Sequence, residues 1–495
     1  MKRTLTVFLC ALLAASSVLT ASCASEDKPS STPTTTTAVT EVAETEAETE
    51  ARILPDLPEG VTYEGYEFNV LHWYVDGWEW RMSKDIYAES ENGDPINDAV
   101  YKRNSTLNEK YGFTVTLQNE AHGNVAGMVQ KSVKGGDDPY DAVFARSPEA
   151  VGLITGGMLL NLHQIENMDL TKPWWDQNSI ESLTIGGKLY IVSSDISIVD
   201  KDATAAIAFS KKIAEDNNLP NLYDAVKNGE WTIDYMVDSY KNVASDLNGD
   251  QKMDEEDLFG FLGGRDVTST FFQGGGAMII SPDEDGYPIL TFASDRNFAL
   301  LEKLYNFTTD HDKYYNHHVD GTGDDTEYEQ LFANGHGLYY WMRLDNVTSL
   351  RYTDNDFGIL PSPKYDESQE DYCSAVSIHT GGLLSVPTSA KDPARTGFIL
   401  EALAAESKYT LIPAYIEKSL KGKHVRDAES EDMLEIILAN RIFDMAEFYG
   451  LGGLRDTTLL LSESKSFNVA SAYQKMEKST NKQIEKFVSQ IDKLP

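Results

Sequence analysis

Cysteine is almost absent from this chain. Three occur in 495 residues, and Cys10 and Cys23 fall near the start, which leaves Cys373 alone in the body. A single thiol excludes an internal disulfide there, so stability must come from packing or from a metal. With no patterned histidine beside it, Cys373 reads as a small buried residue. Basic charge is scarce too. Against 79 Asp and Glu there are 42 Lys and Arg, a formal net charge of −37. Only part of the excess lies near the N-terminus, where Glu26, Asp27, Glu41, Glu44, Glu46, Glu48 and Glu50 face Lys28 and Arg52. The body therefore stays strongly acidic, which excludes nucleic acid as a partner because such a surface repels phosphate backbones. Its plain reading is a solvated shell that favours solubility. Signatures of catalysis are missing as well: no H-E-x-x-H, G-x-S-x-G, P-loop or C-x-x-C occurs. The densest histidine stretch, "HDKYYNHH" (His311 to His318), lacks the helical i,i+4 pair of a zinc site and reads as a solvated loop. "GGGAM" (Gly274 to Met278) lacks the strand and helix that would make it a phosphate loop.

What is present begins with "MKRTLTVFLCALLAASSVLTASC". Two basic residues, an apolar run and small residues ending at Cys23 make a secretory signal, and the run is too short for an ordinary membrane span. "LTASC" resembles the lipobox of bacterial lipoproteins, which implies a signal peptide over 1–22 and an acylated Cys23. Thr20 stands three places before the cysteine and Leu19 one place too early, so ordinary signal cleavage is the alternative. Residues 23–55 are Thr/Ser/Pro-rich and then Glu/Ala-rich, and Ala24 to Arg52 holds no aromatic residue. Such a composition cannot bury a core and is expected to be disordered. About 30 flexible residues reach on the order of 30 Å, a length that suits a tether.

From Tyr63 a strand–helix rhythm starts. "YEFNVLHWY" reads as a strand. Asp94 then caps a helix with Pro95 in its first turn, Ile96, Val100 and Leu107 on its apolar face, and Gly112 at its end. "FTVTLQ", a helix over Val125 to Val133, and "YDAVFA" continue the pattern. A βαβαβ order implies a parallel, doubly wound α/β sheet, whose ligands bind beyond the carboxyl ends of the strands. "AAIAFSKKIAEDN" opens a second block. In "GEWTIDYM" Thr232 is an N-cap, with Trp231 and Met236 as a hydrophobic staple. Asp392 and Pro393 start a later helix, and the last third is helical. No internal repeat is present.

Two features remain. Aromatic residues crowd the loops: Trp73, Tyr74, Trp78 and Trp80; Trp174 and Trp175; and Trp341 beside Arg343. Flat rings with a few hydrogen-bonding neighbours suit a sugar, although aromatics also build ordinary cores. "DLNGDQKMDEEDLFG" (Asp246 to Gly260) has nearly the oxygen spacing of a calcium loop. Asp246, Asn248, Asp250, Asp257 and the Lys252 carbonyl are the candidate ligands, and Gln251 stands where such a loop prefers glycine. It is either a structural calcium staple or a metal-free acidic turn.

The order of segments resembles the bacterial extracellular solute-binding proteins of ABC importers, in the sugar-binding family that includes maltose-binding protein. "YDAVFARSPEAVGLITGGMLLNL", "GGKLYIVSSD", "GEWTIDYM", "LFANGHGLYYWMR", "DFGILPSPK" and "GGLLSVPTSAKDPARTGFILEAL" carry the likeness. It implies a two-lobed α/β fold of doubly wound sheets with three hinge crossovers and extra C-terminal helices. By position, lobe 1 is 56–200 plus 338–378, and lobe 2 is 201–337 plus 379–495. The resemblance further implies a monomer, without cofactor or catalysis, that captures a small solute, a carbohydrate first, and delivers it to an ABC permease. It would do so while lipid-anchored on the outer face of the cell membrane. Carried over by position, the cleft would be lined by Trp73, Trp78, Arg146, Ser147, Asp195, Phe272, Trp341 and Arg343. Asp195 and Arg343 would bond hydroxyls while the rings stack. The competing function is a secreted glycoside hydrolase with a dockerin-like calcium loop. Dockerins carry two such loops in tandem, usually at a chain end, whereas this one is single and internal.

Overall fold

Asp94 starts the first long helix as its side chain requires. In a computed structural model of the chain its carboxylate accepts the amides of Ile96 and Asn97 at 3.0 and 3.2 Å, at the head of helix Pro95–Tyr111. Gly112 ends that helix in the left-handed region, at φ 80°. The structure describes residues 52–75, 84–316, 325–350, 353–420 and 428–495. The expected signal, Cys23, nearly all of the linker, Trp78, Trp80, His317 and His318 lie outside the described residues.

Strand β1, Glu67–Tyr74, pairs in parallel with β2, Thr114–Ala121, on one side and with β3, Ala142–Ala145, on the other. Helices Pro95–Tyr111 and Val125–Gly135 make the two crossovers, so the expected βαβαβ unit is present. A second sheet is built from β4 (Ala205–Ser210), β5 (Phe259–Leu262), β8 (Tyr314–Tyr315), β9 (Gly337–Arg343) and β10 (Phe357–Leu360). The strands β6 (Ile280–Pro282) and β7 (Pro288–Leu290) form a small separate hairpin. The order in the second sheet is β10-β4-β9-β5-β8; β5 runs parallel to both β9 and β8, while β4 is antiparallel to its neighbours. Strand β11 (Ser374–Ala375) pairs with β13 (Arg441–Ile442), and β12 (Leu383–Ser385) closes the first sheet as β12-β3-β1-β2. Among the described residues, the chain is thus a mixed α/β structure around two main sheets.

Two expected lobe assignments change. Strands β9 and β10, assigned by resemblance to the returning part of lobe 1 (338–378), are hydrogen-bonded into the second sheet. Strand β12, assigned to the returning part of lobe 2 (379–495), is bonded to β3 of the first. All seven residues of β9 are buried, so it needs a neighbour on each side, and it finds them in β4 and β5.

Two segments that cross between the sheets, from β3 to β4 through Ala203–Thr204 and from β10 to β12 through Val376–Ser377, run side by side, and Leu344, just after β9, lies against the first. The Leu344 amide donates to the Thr204 carbonyl at 3.0 Å, Ser377 donates to Ala203 at 2.9 Å, and Thr204 bridges Val376. The C-terminal helices follow both halves. Helices Pro393–Tyr409 and Leu411–Leu420 pack on Pro95–Tyr111, while Ala428–Ala439 packs on β10.

Candidate functional site

The carboxyl ends of the parallel strands carry the strongest candidates. Trp73 sits at the end of β1 and is 2% exposed, and its indole Nε1 has no hydrogen-bond partner. Gly382, just before β12, leaves room for that ring, since a Cβ there would lie 2.6 Å from Nε1. Arg146 follows β3 directly. Its guanidinium lies 5.5 Å from the Trp73 ring centre, with Nε 3.4 Å from Glu149 and an Nη 3.4 Å from the His379 carbonyl. Ser147 is buried in the first turn of the next helix. Trp73, Arg146 and Ser147 are therefore gathered at the carboxyl ends of β1 and β3.

The second sheet contributes a matching end. Trp341 on β9 is 7% exposed and its Nε1 is also unpartnered. Gly263, at the end of β5, lets the strands approach, because a Cβ there would meet the Trp341 Cβ at 3.3 Å and Val267 at 2.7 Å. Arg343, two residues on, stacks 5.9 Å from the Trp341 ring centre and lies 3.6 Å from Asp345. A buried indole N–H without an acceptor is costly, and one occurs at each sheet's strand ends.

His379, in the segment leading to β12, links the two ends. It is exposed. Its imidazole is pushed below the ordinary range, first by desolvation and then by the charges of Arg455 and Arg146, with Arg265 adding to them and Asp266 opposing. Arg455 reaches Glu447 at 3.5 Å and Asp266 at 4.0 Å. Glu447 is buried, accepts bonds from Ser269 (3.0 Å) and Gln273 (2.9 Å), and is itself pushed up by burial. Sequence reasoning missed His379, Arg265, Asp266, Arg455 and Glu447. Two signals pointed there: "GGRD" directly follows a strand, and "HTGG" directly precedes one.

Other expected residues lie elsewhere. Phe272 is a core residue, 1% exposed and packed 5.6 Å from Phe292; its helix turns that ring inward. Asp195 lines a separate pocket with Trp175, Asp176, Lys201, Lys408 and Arg441, where no other expected ligand residue is found. Burial raises the Asp195 carboxyl, and Lys201 answers it at 3.4 Å. In that pocket Arg441 binds Asp176 and, at 2.5 Å, Asp200, which is a closed ionic lock. Trp174 and Trp175 are core as well, both donating to Glu401.

The calcium expectation is corrected. Among the described residues no group of three or more His, Cys, Asp or Glu is arranged to hold a metal ion. In the 246–257 loop the expected ligands Asp246, Asn248, Asp250 and Asp257 instead accept backbone amides. Asp246 takes Gly249 and Gln251, Asn248 takes Asp250, Asp250 takes Lys252, and Asp257 takes Leu247 and Asp254. Gln251 adopts the left-handed conformation, φ 70°, that a tight turn demands at this place, and Lys252 follows it. The stretch is an acidic turn held by its own Asx bonds.

No protein-family model and no curated relative matches the chain. Solved structures do match its fold. The ABC substrate-binding protein Lmo0181 from Listeria monocytogenes, in complex with cycloalternan, superposes with a TM-score of 0.55 at 13% identity, over 85% of this chain and 99% of its own. The GacH receptor of Streptomyces glaucescens gives 0.52 at 12%, over 87% and 100%. A sugar transporter protein from Rhizobium etli in an open conformation gives 0.53 at 13%, again over 87% and 100%. At such identities the likeness establishes the fold: the two-lobed architecture of ABC solute-binding proteins.

Proposed function

We propose that the chain is the capturing component of an ABC importer, taking a carbohydrate between its two sheets and handing it to a membrane permease without chemistry of its own. The observation that carries this is the pair of buried, unpartnered indoles, Trp73 and Trp341, each beside an arginine at the strand ends of its own sheet. Rings pack on the C–H faces of a sugar while N–H and guanidinium groups await its oxygens. The fold matches support the reading, since the proteins they come from are described as sugar or ABC substrate binders. Lobe 1 would then be the first sheet with its helices and lobe 2 the second, hinged where the chain crosses between them at Ala203–Thr204 and Val376–Ser377.

A thermal-shift screen over mono- and oligosaccharides tests it, because a ligand at about 100 times its Kd adds about 2.7 kcal/mol. One or more sugars should raise the Tm and be recovered intact. A sugar that is hydrolysed, or a library with no stabilising member, overturns the reading. Anchoring through Cys23 on the outer face of the membrane belongs to the same proposal. Expressed in a bacterium, the wild type should fractionate with membranes and Cys23→Ala should not; equal behaviour removes the anchor.

A further inference from the structure

The chain is poor in cations, yet they converge where the two sheets' strand ends meet. The charges acting most strongly on His379 are three arginines, Arg455, Arg146 and Arg265, against one carboxylate, Asp266. Glu149 and Glu447 also face Arg146 and Arg455, so the cluster is mixed, and what sets it apart is how loosely its arginines are held.

These arginines also differ from the structural ones. Arg103 is buried and saturated, with bonds of 3.1, 3.0 and 2.9 Å to Ile196, Ser407 and Ile86. Arg441 sits equally tightly on Asp200 at 2.5 Å. A charged N–H to carboxylate bond normally falls at about 2.7–2.9 Å. At the strand ends no contact is that short: Arg146 lies 3.4 Å from both Glu149 and the His379 carbonyl, and Arg455 lies 3.5 Å from Glu447 and 4.0 Å from Asp266. Arg265 is exposed, and among the described residues its side chain makes no hydrogen bond or ion pair. Glu447 takes Ser269 and Gln273 on Oε1 and leaves Oε2 to Arg455, whose buried Nε nevertheless stays 3.5 Å away without a hydrogen bond. Three guanidinium forks are thus under-used near the strand ends, Arg146 among them beside the Trp73 indole, whose N–H has no acceptor.

We propose that the captured solute is an acidic carbohydrate, a uronate or an oligosaccharide bearing one, whose carboxylate is received by Arg265 and Arg455 with Arg146 opposite. A planar fork matches a carboxylate with two parallel bonds, which a single hydroxyl cannot reproduce. The acidic shell does not prevent this, because charges more than about 8 Å away are largely screened at physiological salt. The inference rests on the capture reading and narrows it at the same site.

Matched pairs separate the two ideas. Binding to the whole secreted chain is measured by calorimetry for galacturonate and its short oligomers against the galactose equivalents, and for glucuronate sugars against the glucose equivalents. Within at least one pair the uronate should bind about tenfold more tightly or better, as two charge-assisted bonds allow. Arg265→Gln, a surface change that leaves the core intact, should shrink that ratio severalfold. Neutral members binding as well as or better than their acids in every pair overturns the inference and leaves capture standing. An acid preference that Arg265→Gln and Arg455→Gln both leave unchanged also overturns it, since the arginines would not be its source. If neutral and acidic members all fail to bind, while the wider library yields no ligand either, the capture reading falls and takes this one with it.

Discussion

The carboxyl of Glu401 shows how much a single residue can hide. It lies on helix Pro393–Tyr409, 1% exposed, and receives the indole N–H of Trp174 at 3.1 Å, that of Trp175 at 2.9 Å and the Asp169 amide at 3.2 Å. Burial nevertheless wins and pushes it up to about 7 from 4.5, the three donors only moderating the rise. A folded-state value above the unfolded one means the native state binds the proton more tightly. The stability linked to it is full below about pH 4.5 and is lost as pH rises through about 7. Glu401→Gln removes that titration while keeping the shape. In thermal melts the wild type should hold its greatest advantage over Glu401→Gln near pH 5, and the gap should close toward pH 8. A gap that does not change with pH would mean an ordinary surface-like carboxyl. The residue also explains why Trp174 and Trp175 were misleading in the sequence. Their partner is more than 220 residues away, and "PWWD" carries no local mark of it. Phe272 misled in the same way, because only Phe292 in the folded chain makes it core. Trp73 and Trp341 were legible for the opposite reason: their place at a strand end is local.

At the scale of elements, legibility follows the range of the forces. Asp94 with Pro95, Thr232, and Asp392 with Pro393 all start helices as read, because a side-chain oxygen accepting an amide two or three residues on is a local event. Trp231 and Met236, the expected staple, are both fully buried, and the indole also reaches the Pro361 carbonyl at 2.9 Å. Sheet membership was less legible. A strand such as β9, buried on both faces, fits the interior of either sheet equally well, so pattern alone could not place it. The 246–257 loop stands between these cases. Its spacing was read correctly, but the oxygens serve amides. Asp257 is the keystone: both carboxylate oxygens accept amides and its carbonyl meets His336 Nδ1 at 2.9 Å. The bond from Leu247 and then that from Asp254 hold its carboxyl below the ordinary range, so its contribution is present above the unfolded value and fades as pH falls through the folded one. Asp257→Ala should therefore lower the Tm by a few degrees at neutral pH, whereas a chelator should leave the wild-type Tm unchanged. A chelator-induced drop in melting would restore calcium to the loop.

For the whole molecule, the question is whether the two sheets move. The segments that cross between them at Ala203–Thr204 and Val376–Ser377 touch each other through few backbone contacts, a narrow set able to absorb rotation. Trp341 lies three residues before Leu344, whose amide meets Thr204 in the first of these segments. A ring trapped on a sugar removes apolar surface from water at about 25 cal/mol per Å². Small-angle scattering should accordingly show the radius of gyration falling when a binding sugar is added. Trp341→Ala should weaken that sugar by about 2 kcal/mol or more if the ring is a hot spot. Because Trp341 is mostly buried, the variant will also melt earlier, and the control is chosen for that. Trp231→Ala empties a fully buried site behind Tyr339 of β9 and should cost about 3–5 kcal/mol of stability, yet below its own Tm it should still bind and compact. The two variants thus separate a ring that supports the fold from a ring that also meets the solute. Normal binding by Trp341→Ala, with loss of binding in a folded Trp231→Ala, would move the site away from the ends of β5 and β9. Binding without any compaction would instead leave the site in place and remove the hinge.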